Sequence, residues 1–126
     1  AERIRDNLEN ISDTLRERRK SALIFKEGIV SRSFKHLKYN PDQGTCFRYS
    51  ILVSPEKRDK IMVALRIQGI FCSRLYFPAL HRLYACNREA LPAAEYIADR
   101  ILNFKVSSAI ESEEINIINK VIDSLI

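Results

Sequence analysis

The sequence predicts an α+β domain: a small antiparallel or mixed sheet with helices packed on one face, led by a long amphipathic helix. Three observations carry this. Apolar residues recur at three- and four-residue spacing at both ends of the chain, they alternate with period two near residue 50, and helix and strand signals follow one another in between. The 126 residues are 46% hydrophobic and 29% charged, with three Gly, four Pro and no Trp, enough for one core across residues 1–126. That composition excludes collagen-like, low-complexity and disordered chains, which lack the apolar surface to offset conformational entropy.

The leading element, 1–28, places Ile4, Leu8, Ile11, Leu15, Ala22 and Phe25 on one helical stripe, and Gly28 stands where a left-handed C-terminal cap belongs. This helix starts almost at Ala1 with no capping sequence ahead of it, as in a chain cut inside or just before a longer element. Asn40-Pro41-Asp42-Gln43-Gly44 is a turn signal. A sheet-and-helix core is expected over 46–126. In it, Cys46 to Val53 alternates as a strand, with Phe47, Tyr49, Ile51 and Val53 inward and Arg48 and Ser50 outward.

Ser54, Pro55 and Glu56 read as a cap, a first helical position and a carboxylate at the positive end of the dipole. Ile61, Met62 and Leu65 form that helix's buried stripe and Gly69 ends it. Ile70 to Phe77 reads as a second strand stopped by Pro78, and an irregular stretch runs from Ala79 to Ala90. A helix follows from Pro92 with Ala94, Ile97, Ala98 and Ile101 inward, then a short third strand, Ile101 to Val106. Ser112, Glu113 and Glu114 open a last helix that buries Ile115, Ile118, Ile122 and Leu125.

The net charge is +5, all of it in the first half: residues 1–60 carry 14 basic and nine acidic side chains, residues 61–126 seven of each. Its densest run, Arg16, Arg18, Arg19 and Lys20, is broken by Glu17 and lies near Asp13, which fits a solvated helix face better than a nucleic-acid site. Cys46, Cys72 and Cys86 are odd in number and widely spaced, and read as reduced, buried small hydrophobes with no metal site. Phe34, Phe47, Tyr49, Phe71 and Phe77 read as core, and His36 as plain surface. No apolar run spans a bilayer and AERIRDNLEN is charged from its second residue, so the expected location is cytoplasmic. Phosphate-cradle, dinucleotide, zinc-protease and hydrolase-elbow motifs are absent from the sequence.

Several segments, in order, carry a resemblance. They are Arg58-Asp59, Leu65 with Gly69-Ile70, Tyr76-Phe77-Pro78-Ala79-Leu80-His81, Leu91-Pro92-Ala93-Ala94-Glu95, Asp99-Arg100-Ile101-Leu102 and Ser112-Glu113-Glu114-Ile115. In this order and spacing over 46–126 the chain resembles the C-terminal small domain of the DegT/DnrJ/StrS sugar aminotransferases, part of an aspartate-aminotransferase-like fold. Leu15 to Phe25 is similar to that family's interdomain helix. The resemblance implies that pyridoxal phosphate (PLP), a nucleotide-linked sugar and an amino donor belong to a parent enzyme that pairs as a homodimer. It also implies that the Schiff-base lysine, the acidic partner of the pyridine nitrogen and the phosphate-binding serines lie in a large N-terminal domain outside this chain. The chain then corresponds to the final third of such an enzyme and is expected to bind no cofactor and to lack catalysis alone, with no catalytic residue of its own.

Carried over residue by residue, Tyr76 and His81 become candidate substrate contacts, and Arg74 or Arg82 possible partners of the pyrophosphate. The competing structural readings are strand packing for Tyr76, a backbone-bonded turn for His81 and solvated side chains for the two arginines. Arg58 and Asp59 are expected to fix a helix start through local hydrogen bonds. The alternative function is a basic nucleic-acid-binding module or a regulatory interaction domain.

Overall fold

The computed structural model describes residues 8–30, 34–38, 40, 44–84, 91–106 and 110–125. Helix α1 (Ile11–Gly28) leads to strands β1 (Lys35–His36) and β2 (Arg48–Leu52), helix α2 (Pro55–Ile67), strand β3 (Cys72–Ser73) and the short α3 (Leu80–Leu83). Then come α4 (Pro92–Arg100), β4 (Ile101–Lys105) and α5 (Ser112–Leu125). The four strands form an antiparallel sheet in the order β1-β2-β4-β3. Tyr49 lies opposite Phe104 and Ile51 opposite Leu102, so period-two alternation puts these four side chains on one face. There they meet Ala22 and Phe25 of α1, Ile61 and Leu65 of α2, and Ile115, Ile118 and Ile122 of α5 in one buried cluster. The Phe25 ring stacks on both Tyr49 and Phe104, with centroids 5.3 Å away in each case.

Several expectations are corrected. Phe47 is 61% exposed, because Cys46 takes a left-handed φ of 50° immediately before it and breaks the alternation; its ring lies 5.0 Å from the Arg48 guanidinium. Phe71 is likewise exposed, one residue ahead of β3, whereas Phe34 and Phe77 are half-buried. The long second strand shrinks to Cys72–Ser73, because beyond it the Asn103 side chain accepts the Leu75 N–H that a ladder would have used. In α1 only Ser21, Ala22 and Phe25 are buried; Leu8 and Ile11 are exposed, and Ile4 lies outside the described residues.

Gly28 is helical and Ile29, in extended backbone, is the C-cap. Gly28 is instead a close-approach site, since a Cβ there would lie 2.7 Å from Ile115 Cγ2. Gly69 does end its helix left-handed, at φ +80°. The Ser54 hydroxyl donates to the Glu56 carboxylate rather than accepting from the helix backbone, so it is not a side-chain cap. In α4 only Ala98 is buried, Ala94 and Ile97 are exposed, and Ile101 already belongs to β4. His36 is half-buried, bonded through Nδ1 to the Tyr49 hydroxyl and packed on Phe34. Cys46 and Cys72 are buried free thiols, and burial pushes Cys72 up to about 11; Cys86 lies outside the described residues.

Candidate functional site

The face of the sheet opposite the core carries a polar row, Ser50, Asn103 and Ser73, aligned across β2, β4 and β3. Asn103 is 3% exposed, and a buried amide must find partners. Its Nδ2 donates to Ser50 Oγ at 2.9 Å and its Oδ1 accepts the Leu75 N–H at 2.7 Å, which pins the turn that follows β3. Arg58 of α2 pins the same region from the other side. Its guanidinium donates to the carbonyls of Ala98 and Asp99, both at 2.9 Å, and to Asp59 Oδ1 at 2.9 Å. The two carbonyl bonds are long-range and dock the end of α4; only the bond to Asp59 is local, as expected. Asp59 Oδ2 then accepts from Arg74 at 2.9 Å, and the Phe77 ring lies 4.0 Å from the Arg58 guanidinium carbon and 4.6 Å from that of Arg74. The Arg58 hydrogen bond holds the Asp59 carboxyl below its ordinary pKa.

Past this turn, α3 presents His81 and Arg82 to the acidic side of α4. His81 Nε2 lies 2.7 Å from Glu95 Oε1, while Arg82 donates to Glu95 Oε2 and Asp99 Oδ1, each at 2.9 Å. The bond from His81, and after it that from Arg82, holds Glu95 below its ordinary pKa. The two carboxylates, Glu95 first, raise the pKa of Arg82.

Between the turn, α3 and α4 lies an open apolar groove of about 640 Å³, walled by Leu75, Tyr76, Leu80, Tyr84, Ala94 and Ile97, with His81 at its edge. The structure thus brings Tyr76 and His81 to one groove and leaves Arg74 and Arg82 outside its lining, each engaged by carboxylates. Tyr76 is 78% exposed, not packed in a strand, and His81 bonds a side chain, not backbone.

Sequence reasoning missed Asn103, Glu95 and Asp99 as the bracing residues. Asn103 had a signal, a lone amide inside the apolar run Ile101-Leu102-Asn103-Phe104. Ala94 and Ile97 had core-like helical spacing that the groove uses instead.

The helix-covered antiparallel sheet, with Tyr76 on the turn after β3 and His81 on α3 lining one apolar groove, has the aminotransferase fold of the solved structures that it superposes on. Its chain superposes on the aminotransferase TlmJ from Streptoalloteichus hindustanus with a TM-score of 0.83 at 20% identity, covering 94% of this chain and 34% of that one. For DesI in the presence of its TDP-sugar product the TM-score is 0.72 at 18% identity, covering 91% and 32%. A Streptococcus pneumoniae protein described as a sugar aminotransferase, in its PLP form, gives 0.77 at 18% identity, covering 94% and 34%. The chain belongs to the DegT/DnrJ/EryC1/StrS aminotransferase family, whose model matches residues 3–124. It spans about a third of the length of the solved chains it matches. No curated protein matches its sequence significantly. No helix among the described residues is long and apolar enough to cross a membrane.

The described residues do not by themselves fit PLP. A Schiff-base lysine needs an enclosed site that depresses its pKa, and none of the described lysines is buried. The groove is lined by neither Lys nor Arg, so it offers a phosphate no cation.

Proposed function

We propose that residues 1–126 form, as one domain, the small domain of a PLP-dependent aminotransferase acting on a nucleotide-linked keto-sugar, cytoplasmic and homodimeric as a whole enzyme. Alone, the chain binds no PLP and performs no amino transfer. The family match over residues 3–124 is the observation that carries this reading. The TDP-sugar named for one structural neighbour and the PLP form named for another support the substrate and cofactor classes.

In this reading the braced turn is a fixed wall of the sugar-nucleotide site. Asn103 and Arg58 set the turn, Tyr76 offers an exposed ring and hydroxyl to the substrate, and His81 stands beside it with its Nε2 committed to Glu95. Arg74 and Arg82 are each engaged by carboxylates, so a pyrophosphate would compete with or share those partners. The account predicts that Tyr76→Ala, in the enzyme containing this chain, raises KM for the nucleotide-sugar by about tenfold with kcat little changed, the pattern of lost uniform binding. Steady-state kinetics with varied nucleotide-sugar checks it; an unchanged KM removes Tyr76 from the site.

A further inference from the structure

We propose that the pocket between the last turn of α1 and the β1–β2 edge binds the phosphate group of a small phosphorylated ligand. This pocket of about 490 Å³ is lined by Lys26, His36, Leu37, Lys38, Asn40 and Tyr49. It shares no lining residue with the Tyr76 groove, and the inference needs no part of the sugar-aminotransferase reading.

The charge argument comes first. The first half of the sequence holds the whole basic excess, and among its described residues Arg16 pairs with Asp13 and Arg58 with Asp59. Lys26 and Lys38 share one pocket: among the described residues neither has a carboxylate within ion-pair distance, and none of the described residues that line the pocket is a carboxylate. Two lysines lining one concavity raise its affinity for anions, and lysine serves phosphate as a point charge.

The floor supplies polarity and shape. Tyr49, rooted in β2 and stacked on Phe25, bonds the His36 ring, which also packs in an edge contact with Phe34, centroids 5.0 Å apart. Burial pushes the Tyr49 phenol up to about 12, so at neutral pH it stays protonated and adds no negative charge to the pocket. Two cations with an imidazole and an amide suit a dianion with several acceptor oxygens better than a single carboxylate. The volume exceeds what bare phosphate fills and falls in the usual range for small-molecule sites, roughly 300–1,000 Å³. A nucleic acid would need a longer stripe of cations than one concave pocket provides.

Calorimetric and NMR titrations of this chain with inorganic phosphate and with uridine diphosphate test the proposal. Saturable binding that shifts the His36 ring resonances is expected. The Lys26→Ala/Lys38→Ala double variant should weaken it at least about tenfold, while Lys120→Ala on α5 leaves it unchanged. Both lysines are exposed, so the double variant should keep the native circular dichroism; the Lys26→Arg/Lys38→Arg variant retains the charge and should retain binding. Tighter binding of the diphosphate identifies a phosphorylated organic ligand, and equal binding identifies free phosphate. The proposal is overturned if neither anion saturates, if the double alanine variant binds like the parent, or if only a nucleic-acid duplex binds, in a manner that moderate salt abolishes.

Discussion

Arg58 buries a full charge, at 3% exposure, and satisfies it with two carbonyls and one carboxylate. Removing a buried cation strands its acceptors and leaves a cavity, whereas an exposed ion pair contributes little. Arg58→Ala should therefore destabilise the chain by about 3 kcal/mol. Asp59→Asn, whose side chain is 54% exposed, should cost less than about 1 kcal/mol. Urea unfolding midpoints measure both, and equal losses would refute this ranking. The acidic braces also set a pH dependence. Glu95, through His81 first, and Asp59, through Arg58 first, have folded pKa values below their unfolded ones. A carboxyl depressed in this way stabilises the fold above its unfolded pKa, and that contribution disappears as pH falls through the folded value. The urea midpoint should therefore drop as pH falls below about 4.5, where the unfolded carboxyls begin to protonate, and Glu95→Gln should make that drop shallower. A Glu95→Gln profile parallel to that of the parent would contradict the linkage.

Among the elements, α1 and α5 are held at a distance that Gly28 permits. Alanine is the better helix former by about 1 kcal/mol, yet its methyl group would press on the β-branched, buried Ile115, and overpacking costs about 1–3 kcal/mol. Gly28→Ala should thus lower the thermal midpoint, and a rise would show that the helices part freely. Elements with a clean period were readable from sequence. The stripe Ile115, Ile118, Ile122 fell on α5, the alternation Tyr49, Ile51 fell on β2, and Gly69 ended α2. What was not readable depended on partners distant in sequence. Asn103 takes the Leu75 N–H and cuts β3 short, a left-handed Cys46 turns Phe47 outward, and α4 spends Ala94 and Ile97 on a groove. The pairing of His81 and Arg82 with Glu95 crosses a stretch whose spacing encodes no contact. Tyr76 and His81 could be nominated from the family resemblance of their segment, but the frame that holds them could not.

For the molecule as a whole, apolar surface is divided between a closed core and faces left open to solvent. Its core is closed around Phe104, Ile51 and Leu65, while Leu8, ahead of α1, Ile11 at its start and the Tyr76 groove stay open to solvent. Two thirds of each matched solved chain has no counterpart here, and an enclosed lysine is what the described residues lack. The central claim is that the amino-transfer chemistry resides outside this chain, and incubation with PLP followed by borohydride reduction and intact-mass analysis tests it most directly. The account predicts no stoichiometric pyridoxyl adduct and no aldimine absorbance band; one equivalent of a reduced adduct on a single lysine would contradict it.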